Sequence, residues 1–299
     1  MIDPIECEGS PRDLGFDLGS SFRDALRGRY ENADRLDQLR LRVGWLDARA
    51  RRLERDLQRY FPQQAEALDG AARGAEVPFA WLVETLAHVD DDPSPWAASL
   101  VLSASGGGSA EAFCSRTIPV GAALRRSRPE SGFRSIELTL PWLPTALAGV
   151  NEAGLAVAAA AEPRGLVTAG CAAPAVLLVQ DCLQRFASVD AALDWCTGRP
   201  SGGRATLHLS DASGEVAGVR VEPAGLRVQR PIDGLLLTTA ADARPVELAK
   251  ALREAAPLEP ADLSRFLDLD LVVADPARRR LGWLRAAGPA ERRDRWIDV

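Results

Sequence analysis

The pattern that most restricts how this chain can fold is a change of period near residue 100. Before it, apolar residues recur at helical intervals: Leu36, Leu39, Leu41, Val43, Leu46 and Leu53 run through an Arg/Asp/Glu-rich stretch from Ser20 to Tyr60. That predicts one or two long helices with a solvated charged face. Pro62 opens another helix, PQQAEALDGAARGAEV, in which Gly70 and Gly74 predict close packing or a C-terminal stop. VPFAWLVETLAHV follows as a third, ended by Asp90-Asp91-Asp92-Pro93. Beyond residue 100 the pattern becomes one of short strands: FRSIELTL, ALAGV and GLAVAAAA, then ATLHLSD, EVAGVRVEP, GLRVQRP and GLLLTTA as an antiparallel meander. A helical pair, PAVLLVQDCLQRFASVDAALDWCTGRP, separates the two groups. Two short helices, around 245–255 and 260–267, precede a last strand pair about Asp275-Pro276. Helices and strands in blocks predict an α+β fold, mainly antiparallel, and not an alternating βαβ sheet. Residues 1–113 read as a largely helical segment and 114–299 as a strand-rich one, together forming one domain.

Composition removes several functions. A formal net charge of -6 leaves no basic stripe for nucleic acid. The longest apolar runs, such as Ala153 to Ala161, are too short for a bilayer, and no membrane partner is expected. MIDPIECEGSPRD has neither a basic region nor an apolar one, so no signal peptide is expected and the location reads as cytoplasmic. Cysteines 7, 114, 171, 182 and 196 are scattered without CxxC pairs, which fits reduced thiols. His88 and His208, the two histidines, lie at no metal-ligand spacing from a cysteine, so neither metal nor cofactor is expected.

The stretch SASGGGSAEAFCSRTIPVG, 103–121, delivers a Gly/Ser segment directly into Cys114. One reading is a surface loop entering a strand that carries a structural thiol. The other is a cleavage region, with Cys114 as the new N-terminus and nucleophile. A thiol of pKa about 8.5 is mostly protonated at neutral pH, and a free α-amine of pKa about 8 beside it can take the proton and later return it to a leaving amine. Asn151, within GVNEAGLAV, is either a turn residue or a neutral amide donor for an oxyanion.

Several segments, in chain order, resemble the acyl-coenzyme A:6-aminopenicillanic acid acyltransferase family, a cysteine branch of the N-terminal-nucleophile (Ntn) hydrolases. They are GSPRDLGFDLG, EALDGAARGAEVPFAWLVET, FCSRTIPVG, GVNEAGLAVA and the region from PAVLLVQDCLQRF to GEVAGVRVEP. The resemblance implies a four-layer αββα sandwich and a precursor that cuts itself before Cys114. It implies a small amide or acyl donor as partner, an acyl thioester included. It places Cys114 as nucleophile, Asn151 as an oxyanion donor and Arg126 as the arginine of an R-N-x-D motif. Thr239 stands where the family's T-N-H motif has its asparagine. Three positions depart from the pattern: Phe113 replaces the glycine before the nucleophile, Pro129 replaces the motif's aspartate with Glu130 one place late, and Thr238-Thr239-Ala240 replaces T-N-H. A degenerate scaffold that binds a ligand or partner without chemistry is therefore the alternative.

Overall fold

In the computed structural model the described residues are 3–88, 100–104, 112–161, 171–200, 202, 205–222, 225–239, 245–254, 263–286 and 295–299. Strand β1 (Ile5–Gly9) comes first, followed by helices α1 (Pro11–Ser21), α2 (Arg23–Glu31), α3 (Arg35–Arg42), α4 (Ala48–Tyr60), α5 (Pro62–Ala75) and α6 (Phe79–Ala87). The arginine-rich stretch is thus divided among more helices than its periodicity predicts. Its breaks fall at aspartates that prefer caps to helix interiors: the Asp34 side chain accepts from the Leu36 N–H and Asp47 from the Ala50 N–H. Ser10 and Asp13 form a capping box that starts α1 directly after β1.

Helices α1 and α5 cross backbone to backbone. A Cβ on Gly15 would stand 1.9 Å from the Ala67 carbonyl oxygen, and one on Gly70 would stand 2.0 Å from that of Arg12. The glycines of both helices are therefore there for close approach, as GSPRDLGFDLG and the α5 sequence predict.

The remaining strands are β2 (Leu100–Ala104), β3 (Phe113–Thr117), β4 (Ala123–Pro129), β5 (Ser135–Thr139), β6 (Ala148–Asn151), β7 (Leu155–Ala161), β8 (Ala205–Asp211), β9 (Val216–Glu222), β10 (Gly225–Gln229), β11 (Leu235–Thr239), β12 (Leu271–Asp275), β13 (Arg280–Leu284) and β14 (Arg295–Asp298). Helices α7 (Leu178–Arg185) and α8 (Val189–Gly198) fall between β7 and β8, and α9 (Pro245–Glu254) and α10 (Leu263–Leu267) between β11 and β12. One sheet has the order β1-β4-β5-β6-β7-β8-β9-β10 and the other β11-β2-β3-β12-β13-β14. Every pairing is antiparallel except β1 with β4.

The two sheets pack face to face through Val101, Cys114, Val150, Ala156, Val272 and their neighbours. α7 and α8 cover the outer face of the first sheet, while Leu252 of α9 and Leu263 of α10 pack on Leu102, Phe113, Leu271 and Val273 on the outer face of the second. This is the expected αββα sandwich. One expectation changes. β11 is not a fourth strand of the meander but pairs with β2 in the second sheet. Asp233 and Gly234, both at positive φ, make a tight reversal between Ile232 and Leu235 that carries the chain across. Short β1, β2 and β14 lack a clear period-2 pattern and are visible only through their partners. No helix among the described residues is long and apolar enough to cross a membrane.

Candidate active site

Cys114 is the second residue of β3, the strand that forms a hairpin with β2 across the Gly/Ser segment; residues 105–111 lie outside the described part. Register pairs Phe113 with Ala104 and Cys114 with Ser103. Alternation along β3 sends Cys114 and Arg116 inward between the sheets and Phe113 outward beneath α9 and α10. The bulk of Phe113 therefore anchors the bond before Cys114 from the far side and does not crowd the thiol.

The thiol is fully buried. Its sulfur lies 3.3 Å from Ser103 Oγ and 3.1 Å from Ser210 Oγ, with the Ala156 carbonyl at 3.8 Å. Ser103 Oγ in turn lies 3.1 Å from His208 Nδ1, and the other ring nitrogen is 3.0 Å from Thr238 Oγ1. Four strands, β2, β3, β8 and β11, thus bring together Ser103, Cys114, His208, Ser210 and Thr238. Ala158 and Gly218, the ladder partners of His208 on β7 and β9, leave room for the ring. Burial pushes the Cys114 thiol up to about 11, against the lowering effect of the two serine hydroxyls, and pushes His208 down to about 3. Both groups are neutral at pH 7. Arg116 donates to the Ala159 carbonyl at 2.6 Å, and burial lowers its pKa to about 9.

Other residues singled out from sequence lie elsewhere. Asn151 is buried, but its amide donates to the Leu183 and Phe186 carbonyls at 2.8 Å each while its Oδ1 accepts from the Leu155 N–H. It ties the end of β6 to the C-terminal turn of α7, and neither amide hydrogen is turned to Cys114. Arg126 is on β4, three strand positions from β7 or about 14 Å; it bonds Glu6 at 2.6 Å and the Asp298 carbonyl at 3.1 Å. The Glu130 side chain is exposed. Thr239 ends β11 opposite Leu100, and its side chain lies outside the described residues; the hydroxyl that reaches the network is that of Thr238. The buried arginine of the LRRSRPESG segment is instead Arg125. It pairs with Glu137 and bonds Gln180 at 2.7 Å, under α7 on the opposite face of the sheet from Cys114. No group of three or more His, Cys, Asp or Glu side chains placed to hold a metal occurs among the described residues.

The sequence carried a signal for the residues that were not anticipated. In ATLHLSD, Thr206, His208 and Ser210 share one face of a strand whose other face is Leu207 and Leu209. A polar face on a strand buried throughout requires polar partners from the opposing sheet.

These bonds have consequences for stability. Asn151→Ala leaves two carbonyls and an N–H without their partners, which is expected to cost about 2–4 kcal/mol and to lower the urea midpoint; a variant as stable as the parent would contradict the placement. His208 binds a proton near pH 6.5 when unfolded but near 3 when folded, so its contribution is present above 6.5 and is lost as pH falls toward 3. Its full size is on the order of 5 kcal/mol. His208→Gln is expected to flatten the fall of stability between pH 6.5 and 3, read as urea midpoints against pH.

No protein-family model matches the sequence, and no curated protein does. Among solved structures, the chain is similar to the Caenorhabditis elegans N-acylethanolamine-hydrolyzing acid amidase ortholog, with a TM-score of 0.51 and 11% identity over 60% of this chain and 93% of that one. It is also similar to a mutant form of conjugated bile acid hydrolase from Clostridium perfringens, at 0.48 and 10% over 67% and 92%. Penicillin V acylase from Agrobacterium tumefaciens follows at 0.40 and 14% over 67% and 86%. At 11% identity and a TM-score of 0.51, the first of these shows a likeness of fold. The chain has the architecture of the Ntn hydrolases, and its chemistry has to be read from its own residues.

Proposed function

We propose that this chain is a cysteine Ntn amidohydrolase or acyltransferase for a small amide or thioester, matured by cleavage between Phe113 and Cys114. One observation carries the reading: the Cys114 thiol faces the space between the sheets, held by two hydroxyls and sealed from solvent. A sealed thiol has no access to an outside amide, and the carbonyl of Phe113 is bonded to its own nitrogen. Attack there forms a five-membered ring, and hydrolysis of the resulting thioester divides the chain into 1–113 and 114–299. The freed α-amine then serves as base for the thiol, and an acyl group taken up on sulfur passes to water or to an amine. The motif resemblance supports small-molecule tailoring in a cytoplasmic biosynthetic route as the setting, with an acyl amide or acyl thioester as donor.

A second reading is favoured by a separate observation. Asn151 and Arg126 are engaged by α7 and by β1 and β14, which supports a degenerate scaffold that keeps the fold and binds a ligand or partner. An intact-mass spectrum of the purified protein separates the two. Two fragments meeting at Phe113 and Cys114, together with turnover of an N-acyl amide, an acyl-CoA thioester or a β-lactam, are expected for the enzyme. One uncut chain without turnover is expected for the scaffold.

A further inference from the structure

We infer that His208, acting through Ser103, is the proton acceptor that lets Cys114 cut the chain before any α-amine exists. This rests on the self-cleavage reading above and supplies what it lacks. The free amine that serves as base after cleavage is, in the intact chain, the amide nitrogen of the Phe113–Cys114 bond and has no basic lone pair. Something else must take the first proton.

The contacts define a path. The sulfur lies 3.3 Å from Ser103 Oγ, and that oxygen lies 3.1 Å from His208 Nδ1. Thr238 Oγ1 lies 3.0 Å from Nε2; in the tautomer the relay uses, this hydroxyl accepts the Nε2 proton and Nδ1 is left to accept from Ser103. Ser103 takes the thiol proton as it passes its own to Nδ1. The thiolate adds to the Phe113 carbonyl carbon, forming the C–S bond. The C–N bond to Cys114 then breaks as the proton returns by way of Ser103 to the nitrogen, giving a thioester and a free amine. Water adds to the thioester and the C–S bond breaks, leaving the Phe113 carboxylate and restoring the thiol. The sum is one peptide bond and one water giving one carboxyl group and one amine.

The surroundings suit a single slow event. Both groups rest neutral in a buried site, so the charged pair exists only in passing. Among the side chains described, the titratable ones nearest the ring on this face, besides Cys114, are the buried Arg116 of β3 and the partly buried Arg220 of β9, with Arg227 of β10 exposed beyond it. Ser103, which touches the reacting sulfur, is the catalytic group, and His208 is a positioning and proton-holding residue behind it.

The test is the rate of cleavage of freshly refolded full-length protein, followed by intact mass from pH 5 to 9. In the parent the rate is expected to be nearly independent of pH across 5 to 8. In His208→Gln and in Ser103→Ala it should fall by about 100-fold or more at pH 7 and rise about tenfold per pH unit, because hydroxide must then remove the proton. The double variant should lose no more than either single one, and Ser103→Thr, which keeps the hydroxyl, should recover cleavage. Parental rates and a flat profile in both single variants would overturn the relay while leaving self-cleavage intact. A parent that stays one chain at every pH would overturn the self-cleavage reading and the relay with it. If His208→Gln does not refold, Thr238→Val decides: a loss of about tenfold or more supports the relay, and an unchanged rate overturns it.

Discussion

Cys114→Ala is expected to give one uncut chain in which turnover of any acyl substrate is lower by on the order of 10⁴-fold or more. The size follows from the site. In the proposed mechanism the inward-facing thiol of β3 is the nucleophile, and the hydroxyls of Ser103 and Ser210 are alcohols with no α-amine to activate them. Removing the sulfur removes both the attack on Phe113 and the later acyl carrier. Stability should change little, since alanine loses only a small sulfur from a site already lined by Ala156 and Ala274. Cys114→Ser should cut far more slowly than the parent, because an alcohol ionises much less readily than a thiol. Parent-like turnover in Cys114→Ala, measured on protein of parental melting temperature, would remove Cys114 from the chemistry.

The largest effect on stability is expected at the α1–α5 crossing. Gly70→Ala should cost about 3–5 kcal/mol, and Gly70→Leu should prevent folding. The added Cβ would lie 2.0 Å from the Arg12 carbonyl oxygen and 2.9 Å from the Phe16 nitrogen, both backbone atoms that no rotamer change can move. Gly15→Ala faces the same obstacle from the other helix, at 1.9 Å from the Ala67 carbonyl. Separating the helices would also open a cavity of about 20 Å³ lined by Pro11, Leu14, Gln64, Arg125 and Gln180, and so wet the buried Arg125–Glu137 pair. Urea unfolding of Gly70→Ala measures the cost, and a loss below about 1 kcal/mol would mean the helices pack less closely than described.

Much of the architecture was legible because it follows from local rules. Pro62 starts α5, and the alternation in FRSIELTL and ATLHLSD marks β5 and β8, whereas Asp90-Asp91-Asp92-Pro93, expected to end the third helix, lies outside the described residues. The helix breaks at Asp34 and Asp47 were also local, but caps lie inside a longer periodic run and are outvoted by it when the run is read alone. β11 shows a different limit. GLLLTTA is a strand by its composition, yet the sheet it joins depends on a two-residue reversal and on an open edge at β2 that no nearby residue announces.

The candidate site divides along the same line. The sequence by itself determined that Cys114 lies near the start of a strand after a Gly/Ser-rich segment, that the glycines near residues 15–19 permit close packing, and that helices and sheets form separate layers. Each of these depends on neighbours within a few residues or on one close approach. Only the tertiary structure decided which polar groups meet the thiol. Ser103, His208, Ser210 and Thr238 reach it or one another from β2, β8 and β11 because two sheets stack with those strands opposed. Asn151 and Arg126, near in motif, are drawn off by the α7 carbonyls and by Glu6. The physical reason is satisfaction of buried polar groups: a side chain goes to whichever partner the packing places within about 3 Å, and that partner is set by the stacking of layers, which lies beyond the reach of any local pattern.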